Sequence, residues 1–518
     1  MQTFTLRKSA IRSRHGLVAA QNGYAADAGA AVLARGGNAM DAAVVTALVL
    51  SVVEPWLSGI GGGGFLLHAD GSTGVVSTLD FNVIAPAGLD PNDYPLTGAD
   101  VGNWFNWPAV EGDRNVSGYS SICIPGAVAG FAAALERFGT ISWAEAVQPA
   151  IEHAERGLEV DWFASLSLAI DAAALAKYPA SAELFLDNGR APRASDGEAP
   201  HFRPMPAKAR LLKRLAKAGA RDFYEGEIAR VLAQDLEAGG SAIRLADLAG
   251  YQSMWREPLV GHYRQFEVNA ISGLSGGPSF LDASERLSTA DLSAGASMAD
   301  AALAYAIAIR DAYHVRLTTM GHAASPEAGC TTHVSVVDAS GSMVSLTNTL
   351  LSRFGSKVVL PNAGILMNNG IMWFDPRPNQ PNSIAPGVKP LANMCPLILK
   401  TDGMPYLAIG AAGGRTIFPT LLQLVSYMTD FGLSLEDAFH TPRIDASTPT
   451  IKVNARAEPG VVATIGAKFP VEIVEDTLYP VSFAIPSAVM RESSENVGMA
   501  HPTSPWAAVA IGRPANEH

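Results

Sequence analysis

"GCTTHVSVVD", residues 329–338, passes from a small-residue loop into an alternating strand, with Thr331 and Thr332 at the junction. Threonine is β-branched and common in strands, so the pair taken alone is a strand start without chemistry. Its surroundings extend the strand reading. "VVDASGSMVSL" (336–346) and "LILKTDGMPYLAIG" (397–410) each hold two apolar runs around a Gly-containing turn, which predicts two hairpins. N-terminal to these, apolar residues recur at helical spacing over 22–35 and 39–53, with "GGN" between them. "GFLLHAD" and "GVVSTLDF" then read as strands around "DGSTG". A mostly helical stretch covers 126–250, strands return at 258–275, helices are expected at 298–318 and 416–431, and strands again from 450 to 512. Strands at both ends of a helical middle predict a layered α+β protein.

Composition narrows the function. The chain has 518 residues, 48% hydrophobic and 17% charged, enough for a large core. Its net charge of −12 argues against nucleic acid as a partner. The basic run "KARLLKRLAKAGAR" (208–221) reads as one amphipathic helix with a solvated basic face. The N-terminal residues lack the apolar core of a signal peptide. "AAVVTALVLSVV" (42–53) is shorter than the about 20 residues that span a bilayer. Three scattered cysteines suggest a reducing compartment, so the expected location is cytoplasmic, with no membrane partner.

Three glycine-rich motifs invite functional readings. "GIGGGG" (59–64) fits a dinucleotide fingerprint in spacing, but a helix precedes it and a strand follows, the reverse of the required order. Tight backbone packing is the better explanation. "GLSGG" (273–277) could present Ser275 as a nucleophile elbow, but no His and acid partners can be assigned to it. "GAAGGRT" (410–416) lacks the lysine of a phosphate loop. Gly413 and Gly414 sit instead between a strand and a helix start, where their N–H groups could meet a developing oxyanion. No His, Cys, Asp and Glu spacing suggests a metal, and no cofactor is expected.

Four segments together resemble the gamma-glutamyltransferase family of N-terminal-nucleophile (Ntn) hydrolases. They are "RGGNAMDAAV" (35–44), "EPWLSGIGGGGFLL" (54–67), "TTHVSVVDASGSMVSLTNTL" (331–350) and "GAAGGRTIFPTLLQLV" (410–425). Weaker echoes at 124–139, 222–229, 364–374 and 432–445 carry the likeness along nearly the whole chain. The resemblance implies an αββα sandwich and a precursor that cuts its own Cys330–Thr331 bond. Residues 1–330 would form a large chain and 331–518 a small one, associated in one intertwined globular domain. The freed amine of Thr331 would then serve as base for its own hydroxyl, since α-amines titrate near pH 7.7–8.0. The resemblance also makes Thr349 the hydrogen-bond partner of the nucleophile, and Gly413 and Gly414 the oxyanion hole.

The head-group readers of that family are altered here. Asn82 stands where the family has an arginine for the substrate carboxylate. Leu351 replaces an asparagine, Gly370 and Trp373 replace a glutamine and an aspartate, and Ala392 and Asn393 replace two serines. The segment between Phe374 and Lys389 is shorter than the family lid. A buried ammonium without a carboxylate would be costly beside Leu351 and Trp373. The expected substrate is therefore a small amide whose acyl group lacks the glutamyl α-amine, oxamate-like or glutaryl-like. Arg353 and Arg415 are the candidates for binding its carboxylate. A glutathione hydrolase or transferase with other pocket residues, a non-catalytic binding protein on a retired scaffold, and a Ser275 hydrolase are the rival readings. Whether the two-chain unit forms a homodimer stays open.

Overall fold

The computed structural model describes residues 6–98, 107–195, 197, 199–292, 295–322, 332–479, 481–493 and 495–514. Cys330 and Thr331 lie outside these residues.

Two seven-stranded sheets form the centre. In one, the strands run in the spatial order Ala508–Gly512, Gly16–Ala20, Thr332–Val337, Met343–Thr349, Gly63–Ala69, Val76–Phe81 and Met254–Arg256. In the other the order is Ile11–Ser13, Glu495–Ala500, Ile485–Glu492, Met404–Ala412, Leu397–Thr401, Phe266–Ala270 and Leu259–Tyr263. Alternation along the first sheet explains the layering. Val18, Ala20, Leu66, Val334, Val336, Val344 and Leu346 pack with helices Gly23–Ala34 and Ala39–Val53. Leu17, Ala19, Phe65 and Leu67 point the other way, into the cluster that holds the second sheet and helices Gly277–Ser288, Met298–Thr319 and Ile417–Thr429. The result is the αββα sandwich. Residues on either side of position 331 contribute strands to both sheets.

The expected helices and hairpins fall close to their places. Asn22 caps Gly23–Ala34, and Asn38 with Asp41 forms a capping box on Ala39–Val53. The second helix is buried all round because a further helix, Trp143–Arg156, covers its outer side. The basic helix forms at Pro206–Ala218, but its face is not wholly solvated. Lys208 is buried and its ammonium reaches the Ser51 carbonyl, so burial drives its pKa down to about 7. Among the described residues no helix is long and apolar enough to cross a membrane.

The "GIGGGG" segment is a packing device. A Cβ on Gly62 would come within 1.8 Å of the Thr349 carbonyl oxygen, and one on Gly64 within 2.0 Å of that of Thr347. Bare backbone is what lets this strand lie against Met343–Thr349. Ser275 is also structural. It is fully buried, donates to the Ile271 carbonyl at 2.8 Å and accepts the Gly277 N–H at 2.9 Å, so it is no exposed elbow.

Candidate active site

Strand directions gather one end of the sandwich into a site. Thr332 pairs with Asn348, and Thr349 pairs with Gly63, so Thr332–Val337 starts where Met343–Thr349 ends and Gly63–Ala69 begins. Phe81 pairs with Gly64, which puts Asn82 at the same end. Ser335 pairs with Ala19, so the strand leaving Ala20 for Gln21 emerges there as well. In the second sheet Ile485 lies opposite Ala412, and Ala500 opposite Ser487. Contacts between His333 and Gly410, and from Ser335 Oγ to the Ser487 carbonyl at 3.2 Å, align this sheet's end with the first.

This end holds an unusual number of buried polar atoms without partners among the described residues: the side chains of Gln21 and Asn82, Thr332 Oγ1, Asn348 Oδ1 and His501 Nδ1. Buried polar groups are normally hydrogen-bonded, so such a concentration marks a place built to meet a ligand.

Thr349 is held by a strained residue two places further on. Leu351 has φ +82°, a left-handed conformation costing an L-residue about 1–2 kcal/mol. It turns the Leu351 N–H onto Thr349 Oγ1 at 2.7 Å. The hydroxyl proton of Thr349 has only a 3.5 Å contact to the Leu57 carbonyl, so it is free to reorient. The turn after Met404–Ala412 is equally constrained. Gly413 and Gly414 have φ +148° and +59°. A Cβ on Gly413 would stand 2.7 Å from Ala484 Cα. Among the described residues no acceptor takes the N–H of Gly413 or Gly414. Two uncommitted donors on a pinched turn can stabilise a tetrahedral oxyanion.

The altered head-group positions converge on one flank. Asn82 is fully buried; its N–H donates to Asp80 Oδ1 at 2.9 Å and its carbonyl accepts from Tyr251 Oη at 2.7 Å, which fixes the backbone and leaves the carboxamide unused. Leu351, Trp373 and Ala392 are at most 2% exposed and share one apolar cluster with Cys123 and Trp107. Gly370 packs on Cys123, where a Cβ would come within 2.5 Å of the sulfur. Asn393 Oδ1 accepts from Arg316 at 3.1 Å, and the same guanidinium reaches the Ala392 carbonyl. The segment after Phe374 folds on itself, with Asp375 accepting from Arg377 and Asn382 donating to the Trp373 carbonyl at 2.8 Å.

Neither expected arginine offers its charge freely. Arg353 donates to Asp171 at 2.7 Å and to the Ser167 carbonyl at 2.8 Å. Arg415 donates to the Ser447 carbonyl at 2.6 Å and stacks on Tyr313. The sequence reading missed His333, which lies between the sheets with Nδ1 3.0 Å from Thr347 Oγ1 and Nε2 2.8 Å from Ser335 Oγ. Burial pushes its pKa down to about 3, so it is neutral and serves the frame. Its signal was there: a polar residue two places into an apolar strand. Among the described residues no group of three or more His, Cys, Asp or Glu is placed to hold a metal.

An αββα sandwich with a strained glycine turn and a threonine-bearing hairpin at one end is the architecture of an Ntn hydrolase. Residues 25–327 and 314–511 match the family model described as gamma-glutamyltranspeptidase, and the chain belongs to that family, whose members act on amide bonds. It is 34% identical over 482 residues to the Acylase ACY 1 proenzyme of Pseudomonas sp. (strain SE83), covering 85% of this chain and 84% of that one. It is 30% identical over 485 residues to the glutathione hydrolase proenzyme of Escherichia coli (strain K12), covering 84% and 81%. A cephalosporin acylase structure from Bacillus halodurans superposes with a TM-score of 0.82 over 98% of both chains; at 24% identity this is a likeness of fold.

Proposed function

We propose that the protein is a self-processing amidohydrolase whose substrate is a small amide with a carboxylate-bearing acyl group and no α-amine, oxamate-like or glutaryl-like. Processing at Cys330–Thr331 frees Thr331. Its hydroxyl attacks the amide carbonyl, its amine takes the proton and returns it to the departing nitrogen, and water releases the acid. Gly413 and Gly414 hold the oxyanion, and Thr349 orients the nucleophile.

One observation carries the substrate reading. The positions that would meet a glutamyl ammonium are the apolar, buried Leu351, Trp373 and Ala392, which share one apolar cluster. Asp80, beneath Asn82, is already paired with Lys389 at 2.6 Å. The neutral, unpartnered carboxamide of Asn82 suits a small polar acyl group rather than an amino-acid head group. That relatives include both an acylase proenzyme and glutathione hydrolase proenzymes supports the general reaction and leaves the acyl group to experiment. The buried free thiols Cys123 and Cys395 support a reducing compartment. The test compares kcat/KM on oxamate, a glutaryl amide and glutathione with processed enzyme. Preference for an amine-free acyl group is expected; preference for glutathione restores the glutathione hydrolase reading.

A further inference from the structure

Trp373 and Ala392, two of the altered head-group positions, flank one segment, residues 374–391, and both are buried. One side chain joins the two ends of that segment. Asn382, 3% exposed, donates through Nδ2 to the Trp373 carbonyl at 2.8 Å and accepts the Leu391 N–H on Oδ1 at 2.9 Å. A carbonyl can only accept and a backbone N–H can only donate, so these partners fix which way the carboxamide faces.

Asn382 is itself held in place. Its carbonyl accepts the Asp375 N–H at 2.8 Å, and the Ile384 N–H donates to the Asp375 carbonyl at 3.1 Å. On either side of it, His322 Nε2 donates to the Ser383 carbonyl, and a Cβ on Gly321 would come within 1.9 Å of the Pro381 carbonyl oxygen. Ala392 is anchored too. Its N–H donates to the Leu274 carbonyl at 3.1 Å, and its carbonyl accepts from the buried Arg316. Ala392 is thus a fixed wall, and Asn382 refers Trp373 to it. An aliphatic residue would fill the space of Asn382 without the cost of burying an amide. What the amide adds is a set separation between two backbone points, each held at hydrogen-bond length.

We propose that Asn382 is a positioning residue for acyl-chain length: by tying the Trp373 carbonyl to the Leu391 N–H, it sets how far Trp373 stands from Ala392 and so which acyl group fits between them. The assignment rests on the reading above that these positions face the acyl group.

The test uses processed enzyme and unbranched amides that end in a carboxylate and differ by one methylene at a time: oxamate, malonamate, succinamate, glutaramate and adipamate. The wild type should favour one of them over its next longer neighbour by roughly tenfold or more in kcat/KM, as expected for one methylene in a fitted pocket. Asn382→Asp has nearly the same shape and keeps the acceptor for Leu391, but its carboxylate cannot donate to Trp373. It should shrink that ratio by about fivefold or more, chiefly by lowering KM for the longer amide. Asn382→Ser makes the same comparison if the Asp variant does not mature. Arg377→Gln breaks the pair with Asp375 and leaves both Asn382 bonds, so it should keep the wild-type ratio. Repeating the series on β-aspartyl and γ-glutamyl amides separates the two ideas. If the amine-bearing amides are preferred and Asn382→Asp still narrows their ratio, the acyl reading falls and the role of Asn382 stands. Equal losses at every chain length, no discrimination by the wild type, or the same narrowing in Arg377→Gln overturns the proposal.

Discussion

Lys389 Nζ lies 2.6 Å from Asp80 Oδ2 with both side chains buried, and Asp80 Oδ1 takes the N–H of Asn82. One ion pair thus ties the segment before Leu397–Thr401, which bears Ala392 and Asn393, to the strand end that bears Asn82. Removing one partner of a buried pair strands the other charge, which typically costs about 3–5 kcal/mol. Arg256, 3.8 Å from Asp80, can compensate only in part. Lys389→Met should lower Tm strongly by thermal unfolding, and Asp80→Asn combined with Lys389→Met should recover part of the loss.

Maturation is the simplest check of the chemistry. Wild-type protein should run as two bands. The smaller, residues 331–518, is about 20 kDa of the 54.2 kDa total and should begin Thr-Thr-His-Val on N-terminal sequencing. Thr331→Ala should remain a single chain. Activity from an uncut wild-type chain would refute the mechanism.

The oxyanion turn predicts a selective loss. Gly414→Val forces a β-branched residue into φ +59° and displaces the N–H. Loss of one such donor lowers turnover by about 10²–10³. Steady-state kinetics should show the fall in kcat with KM little changed; near-normal kcat would remove Gly414 from the site.

Leu351 offers a test of specificity and strain together. Asparagine tolerates positive φ better than leucine and restores the family residue. Leu351→Asn should therefore unfold no earlier than wild type, and should raise kcat/KM on glutathione relative to a glutaryl amide. Unchanged relative rates would show that Leu351 does not read the acyl group.

Glu54 predicts a pH effect on stability. It ends helix Ala39–Val53, is buried without a described hydrogen bond to its Oε2, and burial raises its pKa to about 8. Between the ordinary value of 4.5 and about 8 the unfolded chain gives up the proton while the folded chain keeps it, so this group makes stability fall as pH rises. Glu54→Gln should raise stability at pH 7 by roughly 3 kcal/mol and flatten Tm against pH across that window. An equal Tm gain at pH 4.5 would point to packing instead.

What the sequence disclosed was what is local. Alternation around Val334 and Val344 and the glycine turns could be read from neighbours a few residues apart. The layered fold followed from their order, and the resemblance supplied Thr349, Gly413 and Gly414. What stayed hidden depends on distant partners. Asp171 engages Arg353 across 182 residues, and Asp80 engages Lys389 across 309. Nothing near Arg443 or His501 in the chain reveals that each is buried with a side-chain nitrogen unmet.

The sharing of both sheets by residues before and after position 331 has a consequence for the enzyme's history. On the proposed cut at Cys330–Thr331, the two polypeptides stay interleaved strand by strand, yet no covalent link sets their relative concentration. Denaturation then liberates two fragments that must find each other by diffusion, with long exposed edges meanwhile open to aggregation. The precursor can refold as a single molecule, whereas the cut enzyme faces a bimolecular search. Mature protein should thus show hysteresis, melting once and failing to regain activity on cooling, and its working lifetime is set by its unfolding rate rather than by an equilibrium.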